Sequence, residues 1–244
     1  MVANGPSEVF TWDITRPPGP VKGIWFHAYV IIDIFSRYTV GHTVELAETA
    51  ERAEELIRET IERNGIVPHT VHADRGTSMI SKKVSQPLID LGVTRSHSRP
   101  RLSNDNPFSE SQFRTTKYAA DYPDRFDSLA HAREWMDAFI GYYCNHEHRH
   151  SGIGLHTPAS VHFGTAHEVR NQRAVALAEA YERHPERFAR RPKPPAIPGQ
   201  VWINDPVKRM QPAPQLSVYG GFGRLSRTVG PHPSQSHRRL VRGQ

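Results

Sequence analysis

Aromatic, β-branched and polar residues alternate along residues 9–15 (VFTWDIT), a period of two that predicts a strand. Residues 24–35 (IWFHAYVIIDIF) are too apolar for an exposed strand and predict one inside a sheet; 37–46 (RYTVGHTVEL) follow after a short turn at Ser36. Three adjacent strands of this kind predict an antiparallel meander. The period then changes. Residues 47–64 are rich in Ala, Glu, Leu and Arg, with Ala50, Ala53, Ile57 and Ile61 at helical spacing, and Gly65 with Pro68 supplies the stop. A short strand over 69–72, a helix over 81–91, a strand over 93–98 and a helix over 106–119 come next. A further helix over 129–143 carries Ala132, Trp135, Phe139 and Tyr143 as its expected core stripe. Beyond it, the pattern predicts a helix over 166–183 and an extended proline-rich linker, RPKPPAIPG, over 191–199.

The order βββαβαβα is that of a ribonuclease-H-like α/β fold, a mixed sheet flanked by helices. Such a frame has a chemical consequence. Asp13 lies on the first strand, Asp74 at the carboxyl end of the fourth, where ligands collect in open α/β sheets, and Glu110 on the helix over 106–119. Sixty residues separate the two aspartates and thirty-five separate Asp74 from Glu110. With 25 acidic residues in 244, about two or three pairs at any chosen interval arise by chance, so the local setting of each residue carries the signal. Three carboxylates suit hard divalent cations, which take oxygen ligands. Two such ions about 3.5–4 Å apart stabilise both the attacking and the leaving oxygen at phosphorus. HEHRH (146–150) lacks the cysteine pair or second histidine cluster that a zinc site needs.

Other residues compete for attention. Asp33 is a rival for Asp13, but its neighbours Ile31, Ile32, Ile34 and Phe35 look like core, so it reads as a structural carboxylate pairing with Arg37 or with backbone. His72 shares a strand face with Asp74 and serves either phosphate and water or a structural partner. Asn106 has the chemistry of a helix N-cap. Glu110, Arg114 and Lys117 fall on one stripe of a helix. That stripe is either an i,i+4 ion pair on a solvated face or a grip on phosphates.

Motifs in the same order resemble the catalytic core of DDE transposases of the retroviral-integrase superfamily. They are WDIT (12–15), DIFSR (33–37), HADRG (72–76), SNDNPFSESQFRTTK (103–117) and YCNHEHRHSGIGLHTP (143–158). More narrowly, the chain is similar to the second-frame protein of two-frame bacterial insertion sequences. The resemblance implies Asp13, Asp74 and Glu110 as catalytic triad and metal ligands, with two Mg²⁺ (or Mn²⁺) ions. It implies Lys117, Arg114, Asn106, Arg149 and His150 as DNA contacts. The implied activity is DNA transposition: metal-dependent cleavage at transposon ends and strand transfer into target DNA, by a homo-oligomer on DNA. The rival from another class is a truncated, non-transposing remnant that binds DNA or inhibits.

Family members carry an upstream helix-turn-helix, and only a dozen residues precede Asp13 here, so recognition is expected from a partner protein of the upstream frame. The implied setting is bacterial and nucleoid-associated. A single cysteine, Cys144, no signal peptide and no apolar run of eighteen residues predict a soluble protein of a reducing cytoplasm, with no membrane partner. The net charge of +6 belongs to the end of the chain: after Asp205 there are seven Lys or Arg and no acid, so residues 1–205 hold 24 bases against 25 acids, a net of −1. A core of that charge must meet DNA through local patches. The expected organisation is an integrase-like core over 6–165, a helical and Pro-rich extension over 166–204, and a disordered basic tail over 205–244.

Overall fold

The computed structural model describes residues 1–74, 81–98 and 106–205; the expected disorder over 205–244 lies, from 206 onward, outside the described residues. Five strands form one sheet in the order β4-β3-β2-β5-β6. They are β2 (Val9–Thr15), β3 (His27–Asp33), β4 (Thr39–Glu45), β5 (Thr70–Ala73) and β6 (Thr94–His97). The first three make the expected antiparallel meander, and β5 and β6 add in parallel to β2. A two-residue strand β1 (Val2–Ala3) stands apart from this sheet.

Both faces of the sheet are covered, which explains why β3 is apolar at almost every position. Phe10, Trp12, Tyr29 and Ile31 point to one face and pack on α1 (Ala50–Asn64) and α2 (Lys82–Asp90). Ala28, Val30 and Ile32 point to the other, against Phe113 of α3 (Pro107–Lys117) and Ala132 and Met136 of α4 (Leu129–Met136). Helix α1 begins at Ala50, three residues later than expected, because Thr49 caps it by accepting from the Arg52 amide; Gly65 ends it in the left-handed region at φ 66°.

The apolar run over 24–35 is longer than its strand. Ile24 and Trp25 are exposed before β3, and at its end the Asp33 carboxylate takes the amides of Phe35 and Ser36, which turns the chain out of the sheet. Ile34 and Phe35 then join a third cluster with Val9, Ile153, Val161 and Ala166 at the end of the sheet where β2 begins.

Helix α4 runs on as a wider, i→i+5 helix over Asp137–Glu147. The expected stripe is displaced by one residue. Ala132, Met136, Ile140 and Cys144 are buried at a stride of four. Trp135, Phe139 and Tyr143 instead stack in a row beside them, with ring centroids 4.7 and 5.2 Å apart; Trp135 and Phe139 are half-buried against the core and Tyr143 is exposed. Widening the turn after Met136 keeps a four-residue stride on one face, and a regular α-helical period does not anticipate that.

After α5 (Pro158–His162) and α6 (Ala166–Arg183), the chain returns to its start: β7 (Val201–Trp202) pairs antiparallel with β1. The Ile203 amide donates to Met1 O at 2.9 Å, and Val201 and Ile203 sit in the third cluster. The Pro-rich segment therefore crosses back to the core.

Strand β4 lies at one edge of the sheet. Its outer polar groups meet side chains: the Asn145 amide pairs with both N and O of Thr39, Arg63 and Asn64 donate to Val40 O, and Arg133 donates to Val44 O. Beside them, Gly41 lies against Thr60 of α1, and a Cβ there would run into the Thr60 hydroxyl. Thr60 is buried and its branched side chain is stiff. Gly41→Ala is expected to destabilise by about 1–3 kcal/mol, lowering the melting temperature by several degrees in a calorimetric scan.

Candidate active site

The register of the parallel strands places the two aspartates. Residues Val9 to Trp12 of β2 lie opposite Thr70 to Ala73 of β5, so the next position in each strand sets Asp13 beside Asp74. On the other side of β5, Ala73 lies opposite His97, and Ser98 follows there. The Ser98 hydroxyl donates to Asp74 Oδ1 and lies 3.4 Å from His72 Nε2, while His72 Nδ1 meets Ser96 Oγ at 3.1 Å. His72 is buried at 2 % exposure, held between Ser96 of β6 and Ser98 just past it. It is a structural histidine that backs the strand end carrying Asp74.

Glu110 comes from the helix on the same face. Ser109, Phe113 and Thr116 form the buried side of α3, leaving Glu110, Arg114 and Lys117 exposed along one stripe. The three carboxylates feel one another. Asp13 is pushed up to about 7, first by burial and then by the charges of Asp74, Glu110 and Glu48, against the pull of the Ile14 amide, which donates to its Oδ1 at 2.8 Å. Glu110 is raised by burial and by Asp74. Glu48, just ahead of α1, is a carboxylate neighbour that nothing in the sequence singled out; Arg16 stands 4.0 Å from it.

The donor set suits a hard divalent cation: carboxylate oxygens, of which those of Asp13 and Glu110 are held back from ionising by burial and by the charge of Asp74, a cost that a positive ion would relieve. Among the described residues no three His, Cys, Asp or Glu side chains close into a cage that could hold an ion by themselves. Ions of this kind keep waters and substrate oxygens among their ligands, so protein carboxylates need not close the shell.

Other expected contacts lie elsewhere. Asn106 is 1 % exposed: its Oδ1 accepts from Thr11 Oγ1 at 2.5 Å and its Nδ2 donates to Trp12 O at 3.3 Å. It makes no side-chain cap to α3, and burial withdraws it from any DNA surface. His150 accepts from the Gly152 amide at 3.0 Å and is pushed down to about 4 by burial and by the charges of Arg37 and His148, which favours the neutral ring. Arg149 is exposed. Both belong to the loop whose Ile153 packs in the third cluster, away from the end of β5. Asp33 is fully buried, with Ser36 Oγ at 2.5 Å and His162 Nδ1 at 3.1 Å, and Arg37 lies instead over the Phe108 ring at 4.1 Å.

Two sequence models described as the integrase core domain match, one over residues 3–103 and the other over 91–158. The transposase for insertion sequence element IS904 of Lactococcus lactis is 27% identical over 161 residues, covering 64% of this chain and 61% of that protein. A chain of the simian T-cell lymphotropic virus intasome superposes with a TM-score of 0.53 at 19% identity, over 66% of this chain and 55% of that one. The HTLV-2 integrase catalytic core domain, in a structure described as complexed with magnesium, superposes at 0.50 with 16% identity, over 65% of this chain and 97% of that one. The fold is thus the ribonuclease-H-like one of integrase cores. The two matches together span residues 3–158, and the chain belongs to the integrase-core family. It spans 61% of the length of the transposase it matches.

Proposed function

We propose that this chain is the catalytic core for DNA transposition, cutting at transposon ends and joining the freed 3′ hydroxyl to target DNA. The observation that supports this reading best is the convergence of Asp13 and Asp74 from neighbouring strands with Glu110 from α3, the carboxyls of Asp13 and Glu110 being raised by burial and by the charge of Asp74. Asp13 and Asp74 would hold a pair of Mg²⁺ or Mn²⁺ ions, and Glu110 would complete the second position. When bound, such ions supply an activated water or hydroxyl and neutralise charge on both oxygens of an in-line displacement.

The chain's own groups do the remaining work. Ser98 fixes one Asp74 oxygen. The Ile14 amide does the same for Asp13. Arg114 and Lys117, one and two turns along α3 from Glu110, present cations about 6 and 10 Å further along the helix axis, within reach of phosphates flanking the scissile one. DNA is the partner, held by an oligomer of this chain. Selection of element ends would come from a helix-turn-helix partner of the upstream frame, because choosing a site needs base contacts in a groove. Among the described residues no helix is long and apolar enough to cross a membrane; a place at the nucleoid follows from the DNA substrate.

The test is incubation with a duplex carrying the element's terminal repeat. Mg²⁺-dependent nicking at the repeat end and strand transfer into a second duplex are expected, and chelation should stop both. Mg²⁺-independent nicking, or none with the partner protein supplied, would refute the reading.

A further inference from the structure

We propose that Asn106 is a positioning residue: together with Thr11 it forms a buried tether that sets Glu110 over Asp13. The inference rests on the functional reading above and assigns Asn106 a role other than contact with DNA. Three bonds converge on it. Its side chain joins Thr11 Oγ1 at 2.5 Å and Trp12 O at 3.3 Å, and its backbone carbonyl accepts from the Glu110 amide at 3.2 Å.

The spacing explains why this pair can do the job. Thr11 and Asp13 point to the same face of β2, two residues and about 6.6 Å apart. Asn106 and Glu110 lie one turn apart on α3, about 6 Å along its axis. Strand and helix therefore advance by nearly equal steps from the tether to the two carboxylates. A fixed contact at one end places the acids opposite each other at the other end. The register of β5 adds Asp74 beside Asp13 without further help.

The local chemistry points the same way. Asn at a helix start ordinarily accepts from an amide of the first turn, a contact whose loss costs about 1 kcal/mol. Here α3 goes without that cap, and the side chain faces inward to the strand instead. A residue that forgoes its favoured local bond for one 95 positions away is fixing the relation of two elements. Phe113 holds α3 against the sheet through apolar packing, which is non-directional and tolerates sliding. The tether supplies the direction that packing lacks.

The experiment measures Mn²⁺ binding by the metal-free, folded chain, counting free ion by electron paramagnetic resonance and recording a melting curve for each variant. Thr11→Val, which keeps the shape and removes the hydroxyl, is expected to weaken binding about tenfold, as partners that orient metal ligands do. Asn106→Ala should do the same, and the double variant should be no worse than either alone. Thr11→Ser, which keeps the hydroxyl, should bind as the wild type does. Glu110→Gln is the reference. If it weakens Mn²⁺ binding while Thr11→Val and Asn106→Ala change only the melting temperature, the tether is structural alone and the proposal fails. If Glu110→Gln leaves Mn²⁺ binding unchanged, the functional reading itself is at fault, and the tether has nothing to position.

Discussion

Asp13→Asn is expected to abolish Mg²⁺-dependent cleavage and strand transfer, and at the same time to make the metal-free protein more stable at pH 8. The loss follows from removing a ligand that holds charge opposite phosphate; a fall of more than about a thousandfold is expected, since charge stabilisation at a transition state is worth several kcal/mol. The gain follows from the folded-state pKa of about 7 against the usual value of 3.8. Unfolded chain releases this proton near pH 4, whereas the native chain keeps it until near pH 7. Between those values the native state binds more protons, so its stability falls as pH rises, and the full cost persists above pH 7. Three units correspond to at most about 4 kcal/mol, and on the order of 2 kcal/mol is a fair expectation for a partly accessible group. Asparagine carries no such cost. A melting temperature about 5 °C higher than wild type at pH 8 without metal is expected, shrinking toward pH 4. A variant that melts lower than wild type at pH 8 would show that the site stores no such strain.

Asp33 should behave in the opposite way. Its carboxylate is fully buried and accepts from Phe35 N, Ser36 N and Ser36 Oγ, with the His162 ring 3.1 Å away. Asp33→Ala leaves those donors facing a cavity and unlocks α5 from the turn after β3. Removing one partner of a buried charged cluster costs about 3–5 kcal/mol, which amounts to roughly 10 °C in melting temperature for a chain of this size. Cleavage by the fraction that remains folded, assayed well below the transition, should be unaltered. A loss of turnover without a loss of stability would move Asp33 into the catalytic site.

The contrast between the two aspartates was legible in the sequence, since Asp33 stands among isoleucines and Asp13 among alternating polar positions. So was the frame that brings Asp13, Asp74 and Glu110 together. Strand and helix periods are local properties, and the parallel register follows once β5 is laid beside β2. What stayed hidden depends on partners far along the chain. Asn106 read as a cap because its sequence neighbours show a helix start; Thr11, which takes its side chain, is 95 residues away. Glu48 gave no signal because its relation to Asp13 exists only after β4 has folded back. The place of Trp135, Phe139 and Tyr143 at the margin of the buried stripe is hidden because the turn widens there from a period of 3.6. His150 stands in a run of basic residues, and only its burial beside Arg37 and His148, which lowers its pKa, separates it from them.

The side chains along β4 bear on how copies of this protein can meet. Backbone groups at the rim of a sheet invite an incoming strand, whether from a partner or from a growing aggregate. With Thr39, Val40 and Val44 already engaged by Asn145, Arg63, Asn64 and Arg133, a strand arriving on this side would have to displace four side chains before its first hydrogen bond. Assembly across this rim is therefore left to side-chain surfaces, which can be built and dismantled without extending the sheet. Under the proposed function, in which copies gather on DNA, the same bonds guard against a contact that would not let go.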